Sequence, residues 1–272
     1  MTPYSVLAAY YDELMADVDY AGRAAYLERV FARHGIRPGL VLELGCGTGS
    51  LSLELSRAGM EVIGLDRSEQ MLSAAAQKAG STNGRVLFIC QDMRGIDLYG
   101  TVDAVVCALD GINHVTSPVD VVRVFEGVAR FLNPGGLFVF DLNTPYKIAH
   151  VLGDNTFTYD TDDVYCVWQN SYRPRTGLCR FDLTFFEWDG ACYRRADEHF
   201  SERAYSTGHI RRMLRQAGLS LEAVYADMTL EVPTDTTERA VYVARRPAVP
   251  QPEMHCPADG EKVLEKKNEI FG

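Results

Sequence analysis

The chain reads as an α/β fold, a mostly parallel seven-stranded sheet with a terminal antiparallel strand, plus an antiparallel β-sheet inserted into it. Three observations predict this. Val41–Leu44 is a short apolar strand that runs into Gly45-Cys46-Gly47-Thr48-Gly49 and then a helical pattern. Strand and helix periods go on alternating as far as Leu142. Between Pro145 and Tyr205 that alternation is replaced by period-two patterning, and helix and strand signals return after it.

The elements follow in order. Residues 1–37 form a helical lid segment: Tyr10, Tyr11 and Tyr20 mark its front, and Leu27, Val30, Phe31 and His34 make a helical stripe closed by Gly35 and Pro38. Residues 38–145 form the core. Leu51, Leu55 and Ala58 lie at helical spacing with Gly59 as the stop, and Glu61–Leu65 is a second strand tipped by Asp66. Ser68 precedes a helix carrying Met71, Leu72 and Ala75. Val86–Cys90 ends in Gln91-Asp92-Met93, and Val102–Cys107 ends in Ala108-Leu109-Asp110. Ser117, Pro118 and Asp120 open the next helix, and Asn133–Gly136 reads as a turn before a fifth strand, Leu137–Leu142.

Residues 146–205 are the insertion, read as three strands, Val164–Tyr172, Leu178–Trp188 and Cys192–Arg203, broken by Pro174–Gly177 and Asp189-Gly190. A helix over Ser206–Ala217 and strands near Leu219–Met228 and Glu238–Arg245 complete the main sheet within residues 206–246. Residues 247–272, rich in proline and charge, read as a disordered tail. An insertion after strand five lies where strand tips meet ligands, so Trp168, Tyr172, Phe181, Phe185, Phe186 and Trp188 are expected to roof a second substrate, to form a homodimer seam, or to hold the insert to the core.

Composition narrows the partners. The net charge is −10, with 27 basic against 37 acidic residues, which disfavours a nucleic-acid partner. No apolar run reaches membrane-spanning length, and Met1–Val6 lacks the pattern of a signal peptide, so a cytoplasmic location is expected. The seven cysteines include no Cys-x-x-Cys pair, which argues against a disulfide framework and against a bound metal.

Gly45, Gly47 and Gly49 let a ligand approach the main chain, and Asp66 after the second strand can accept hydrogen bonds from two ribose hydroxyls. A dinucleotide site wants Gly-x-Gly-x-x-Gly, but position 50 is Ser. The glycine strand, Asp66, Asp92-Met93 and Asn133-Pro134-Gly135-Gly136, in this order, resemble the class I S-adenosylmethionine-dependent methyltransferases and their Rossmann-like fold. The resemblance implies S-adenosylmethionine as cofactor. It places the glycine turn, including Cys46, under the methionine part, Asp66 on the ribose, Met71 on the adenine face, and Asp92-Met93 at the adenine amino group and ring. It further implies main-chain contacts near Cys107 to Leu109 for the amino acid end, with Tyr11, Glu43, Arg67 and Gln91 completing the set.

The resemblance implies methyl transfer to N or O of a small molecule; the end of strand four, Ala108-Leu109-Asp110-Gly111, lacks the Asn-Pro-Pro-Tyr signature of many enzymes acting on base amino groups. The other reading is a non-catalytic S-adenosylmethionine-binding module whose aromatic insert holds a protein partner. His114, just beyond strand four, is the candidate proton acceptor, and Tyr11 is its companion in the lid.

Overall fold

A computed structural model describes residues 7–80, 86–161 and 163–248. The elements are α1 (Leu7–Leu14), α2 (Tyr20–Arg33), β1 (Leu40–Leu44), α3 (Ser50–Arg57), β2 (Glu61–Asp66), α4 (Glu69–Gly80), β3 (Val86–Cys90), β4 (Val102–Cys107), α5 (Pro118–Phe131) and β5 (Leu132–Asn143). They continue with β6 (Thr156–Asp160), β7 (Val164–Arg173), β8 (Leu178–Trp188), β9 (Tyr193–Arg203), α6 (Thr207–Gln216), β10 (Ser220–Ala226) and β11 (Arg239–Arg245).

The main sheet has seven strands in the order β10-β11-β5-β4-β1-β2-β3, parallel except where β11 pairs antiparallel with both β10 and β5. From β1 the chain moves outward to β2 and β3, then returns to the other side of β1 as β4. The switch point between β1 and β4 is where open α/β sheets leave a crevice beyond the strand tips.

Both sheet faces are covered, and the central strands are mostly apolar, as buried parallel strands are. Val41, Ala104, Val106 and Val139 pack with Leu27, Val30 and Leu55 of α2 and α3. Leu42, Val105, Phe138 and Phe140 pack with Val121, Phe125 and Leu214 of α5 and α6. Adjacent residues of one strand thus serve opposite layers.

Two expectations need correction. Asn133–Gly136 is not a turn ahead of β5 but an irregularity inside it: Val102 pairs with Leu132, and two residues on Ala104 pairs with Leu137, with Gly135 at φ +83°. The inserted sheet has four strands, in the order β6-β7-β8-β9, rather than three. The missed strand, β6, is a five-residue edge strand, preceded by a π-helical turn at Lys147–Leu152. The tail read as disordered falls, from residue 249 onward, outside the described residues.

The insert is joined to the core through Asn113. Its Nδ2 donates to the carbonyls of Asn143 (3.2 Å) and Arg203 (2.9 Å), its Oδ1 accepts from Asn143 N (3.0 Å), and its carbonyl accepts from Arg203 N (2.9 Å). One buried side chain therefore ties the end of β5 to the end of β9. Helix α1 closes the other side: Ala8, Tyr10, Tyr11 and Leu14 pack on the cluster built around Cys166, Phe181 and Phe185, and Tyr10 Oη donates to Glu187. Asn113→Ala leaves buried donors and acceptors of both sheets without partners. It is expected to lower stability by about 3 kcal/mol, read from urea unfolding, and a loss near zero would contradict this joint.

Candidate active site

The switch point opens into a cavity of about 630 Å³, within the range of roughly 300–1,000 Å³ typical of small-molecule sites. Its floor is the loop after β1, where Gly45, Gly47 and Gly49 have φ of +67°, +54° and +76°. Gly47 N donates to Asp66 Oδ2 at 2.9 Å, and Ser68 N donates to Asp66 Oδ1 at 2.9 Å. Asp66 thereby clamps the glycine loop to the start of α4, while its carboxylate oxygens keep acceptor capacity toward the cavity it lines. Tyr11 lies over the loop: a Cβ built on Gly47 would come within 3.9 Å of its ring. Burial raises the Tyr11 phenol well above its ordinary value. Asp12, the next residue, accepts from Thr48 Oγ1 (2.6 Å) and Lys78 Nζ (2.8 Å).

Of the cofactor residues expected from the sequence, Tyr11, Glu43, Gly45, Cys46, Gly47, Asp66, Arg67, Met71, Gln91, Asp92, Met93 and Leu109 all line this cavity. Gly49 and Cys107 do not. Gly49 caps α3 in a left-handed conformation, and a Cβ there would meet Phe88 at 2.7 Å, so its role is in the turn. Cys107 is fully buried in the core beneath the strand tip. The Leu109 N–H donates to Asp141 Oδ2 (2.8 Å), and Ala108 beside it lines the cavity too. Gln91 bonds both ways to Asp97 through its amide, and Asp92 is engaged by Arg94 N and Nε.

Glu43 is buried at the end of β1 and accepts from Ser52 Oγ. Burial pushes its carboxyl up to about 7, the Ser52 bond works against this, and the charge of Asp66 adds to it.

Opposite the glycine loop, Leu109 and Asp110 both adopt positive φ, +55° and +59°. Their N–H groups converge on the Asp141 carboxylate, at 2.8 and 2.7 Å. Arg239 bridges Asp141 Oδ1 (2.5 Å) and Asp110 Oδ1 (2.6 Å), and Arg23 pairs with both oxygens of Asp227, 3.0 Å each, reaching Asp141 at 3.5 Å. This turn sets His114 Nε2 3.7 Å from Asp110 Oδ2 and 3.9 Å from Glu202 Oε1, with its ring 5.0 Å from that of Phe200. Burial pulls the His114 pKa down, but Asp110 and Glu202 outweigh it and the imidazole titrates above its ordinary value. Burial and then Asp110 push Glu202 up to about 7. Asp110 goes the other way, to about 2, because Arg239 and His114 overcome its burial.

The insert supplies the roof. Tyr159, Cys166, Trp168, Phe181, Leu183 and Phe200 line the cavity from β6 to β9. Of the six aromatics singled out in the sequence, Trp168 and Phe181 line it and Phe185 is buried in the insert's own core. The other face of the sheet carries in-strand ion pairs, Arg180–Asp182 and Arg195–Asp197.

A glycine loop at the switch point, an acidic tip on the next strand and a roofed cavity thus meet in one place. A family model described as "Methyltransferase domain" matches residues 41–136. The chain is 36% identical over 244 residues to "Putative methyltransferase YqeM" of Bacillus subtilis (strain 168), covering 89% of this chain and 97% of that protein. The chain belongs to the class I S-adenosylmethionine-dependent methyltransferases. A crystal structure of an S-adenosylmethionine-dependent methyltransferase from Clostridium acetobutylicum ATCC 824 superposes with a TM-score of 0.81 at 31% identity, over 90% of this chain and 99% of that one. The fold is also that of CalS10 from Micromonospora echinaspora, an amino pentose methyltransferase solved with S-adenosylmethionine bound, with a TM-score of 0.70 at 20% identity over 89% and 97% of the two chains. S-adenosylmethionine is the cofactor of this methyltransferase, and the open glycine loop, the Asp66 carboxylate and the soft faces of Met71 and Met93 suit it. Among the described residues no helix is long and apolar enough to cross a membrane.

Sequence reasoning missed Asp141, Glu202, Arg239 and Lys147. Asp141 and Glu202 had a signal: Asp141 interrupts an apolar strand, and Glu202 shares the inward parity of Ala196 and Phe200 on β9. Arg239 and Lys147 had none. Lys147 lines the cavity from the π-helical turn, and burial followed by the charge of Arg239 lowers its pKa.

The three raised groups act together on stability. Glu43 and Glu202 titrate near 7 when folded against an ordinary 4.5, so between those values the folded chain holds more protons than the unfolded one. Stability then falls as pH rises from 4.5 toward 7. His114, also raised, adds stability below its ordinary 6.5 that is lost as pH climbs through its folded value. Urea midpoints measured from about pH 4.5 to about pH 8 should decline, and Glu43→Gln should flatten the profile; a rising profile would contradict these assignments.

Proposed function

We propose that this methyltransferase acts in the cytoplasm on N or O of a small-molecule acceptor held between the glycine loop and the inserted sheet. The observation that carries this reading is the single cavity in which Asp66 and the glycine loop face His114 under a roof of Trp168, Phe181 and Phe200. Residues 38–145 supply the cofactor floor, 206–246 complete its sheet, 146–205 supply the acceptor side, and α1 within residues 1–37 covers the loop.

Bound S-adenosylmethionine supplies a methyl group on a sulfonium, already activated for displacement. What the chain adds is position. Asp66 would hold the ribose hydroxyls, Met71 and Met93 the adenine, and Gly45 to Gly47 the methionine part. Holding two reactants in line is worth about 7–11 kcal/mol, whereas a general base contributes about 10²–10⁴-fold. The aromatic roof and Tyr11 exclude water from the reacting atoms. His114 accepts the acceptor's proton, with Asp110 and Glu202 stabilising the imidazolium that results.

Two measurements test the reading. Asp66→Ala should weaken S-adenosylmethionine binding by about 2–4 kcal/mol in calorimetry, because two hydroxyls lose a charged acceptor; affinity within twofold of wild type would remove Asp66 from the ribose site. His114→Ala should lower kcat by about tenfold or more while leaving cofactor affinity unchanged, followed as labelled methyl transfer into a metabolite extract. Undiminished turnover would leave alignment as the whole of catalysis.

A further inference from the structure

The acceptor end of the cavity is rich in hydrogen-bond acceptors. Arg239 and Arg23 are both committed, to Asp110, Asp141 and Asp227. Glu202, only 3% exposed, has Oε2 bonded to Asn143 Nδ2 at 3.0 Å, while its Oε1 faces His114 at 3.9 Å. Lys147 also lines the cavity; burial and then Arg239 lower its pKa, while Asp110, Glu238 and Glu202 work the other way. A second, independent observation stands beside Glu202: Asn143, 3% exposed and lining the cavity, keeps a buried Oδ1 with no hydrogen-bond partner among the described residues. Its orientation is fixed, because the Nδ2 of the same amide donates to Glu202.

We propose that Glu202, Asn143 and Asp110 form a docking site for an ammonium group, and that the methyl acceptor is a primary or secondary amine with an apolar body against Phe200, Phe181 and Trp168, its docked ammonium giving one proton to His114 so that the freed nitrogen lone pair takes the methyl group. The inference rests on the methyltransferase reading above and names its substrate class. An ammonium nitrogen offers up to three N–H donors and a positive charge, which matches Glu202 Oε1, Asn143 Oδ1 and Asp110 Oδ2; a hydroxyl offers one donor and no charge. The rings continue the match. Trp168, Phe181 and Phe200 follow one another at 5.6 and 4.9 Å between centroids, and Phe200 ends at His114, so aromatic faces lead to the carboxylates. Asp110, His114 and Glu202, whose ligand atoms lie within 4.8 Å of one another, also form a donor set for a divalent cation. The aromatic walls offer a metal nothing and suit an organic cation, so an ammonium ion fits better.

The test is a binding measurement that needs no turnover. The full chain saturated with S-adenosylhomocysteine is titrated calorimetrically with benzylamine, with benzyl alcohol, and separately with Mg²⁺, Mn²⁺ and Zn²⁺. Benzylamine should bind about tenfold or more tighter than the alcohol, and Glu202→Gln should erase that preference while S-adenosylhomocysteine affinity stays at the wild-type value. Equal affinity for amine and alcohol in the wild type overturns the proposal without recourse to any variant. So does a preference that survives Glu202→Gln, or stoichiometric metal binding that Glu202→Gln abolishes. Failure of the wild-type chain to bind S-adenosylhomocysteine would instead bring down the cofactor reading on which this one rests.

Discussion

The Asp141 carboxylate is the interaction on which the acceptor side of the site depends. Buried near the end of β5, it accepts from two successive backbone N–H groups and from the Arg239 guanidinium, with Arg23 at the edge of reach. Left-handed backbone costs a non-glycine residue about 1–2 kcal/mol, and Leu109 and Asp110 both adopt it. Two charge-assisted hydrogen bonds aimed at one carboxylate offset that cost and hold the turn. The turn in turn sets Asp110 against Arg239 and brings His114 into the cavity. A neutral side chain at 141 would leave a guanidinium and two amides facing each other in the core.

The cofactor half was legible in the sequence because its signals are local. Glycines, a capping serine and an acidic strand tip lie within about one helix and two strands of each other, and their spacing carries the geometry. Gly49 and Cys107 show where local reading stops: both neighbour residues that line the cavity, yet Gly49 serves the helix cap and Cys107 the core. The acceptor half is assembled from residues 110, 114, 143, 202 and 239, brought together by strand order and register. Only the pairing of Arg239 with Asn143 across two antiparallel strands explains why a residue so late in the chain reaches Asp110. The edge strand β6 was missed for a simpler reason, since five residues with a single pairing partner carry little pattern.

Floor and roof also differ in kind. The floor is main chain and glycine, shaped by backbone conformation, and tolerates few substitutions. The roof is side chain, an antiparallel sheet whose inward positions alternate with in-strand ion pairs on its other face. Helix α1 bridges the two, with Asp12 held by Thr48 and Lys78 on the floor side and Tyr10 held by Glu187 on the roof side.

The joint at Asn113 bears on how freely the roof can change. Because the last strand of the insert is fastened to the core there mainly through main-chain atoms of Asn143 and Arg203, with the Asn143–Glu202 bond beside them, most inward positions from β6 to β9 take no part in the fastening. Side chains of the roof can therefore be exchanged strand by strand overhead without loosening the sheet from the core or disturbing the glycine loop below.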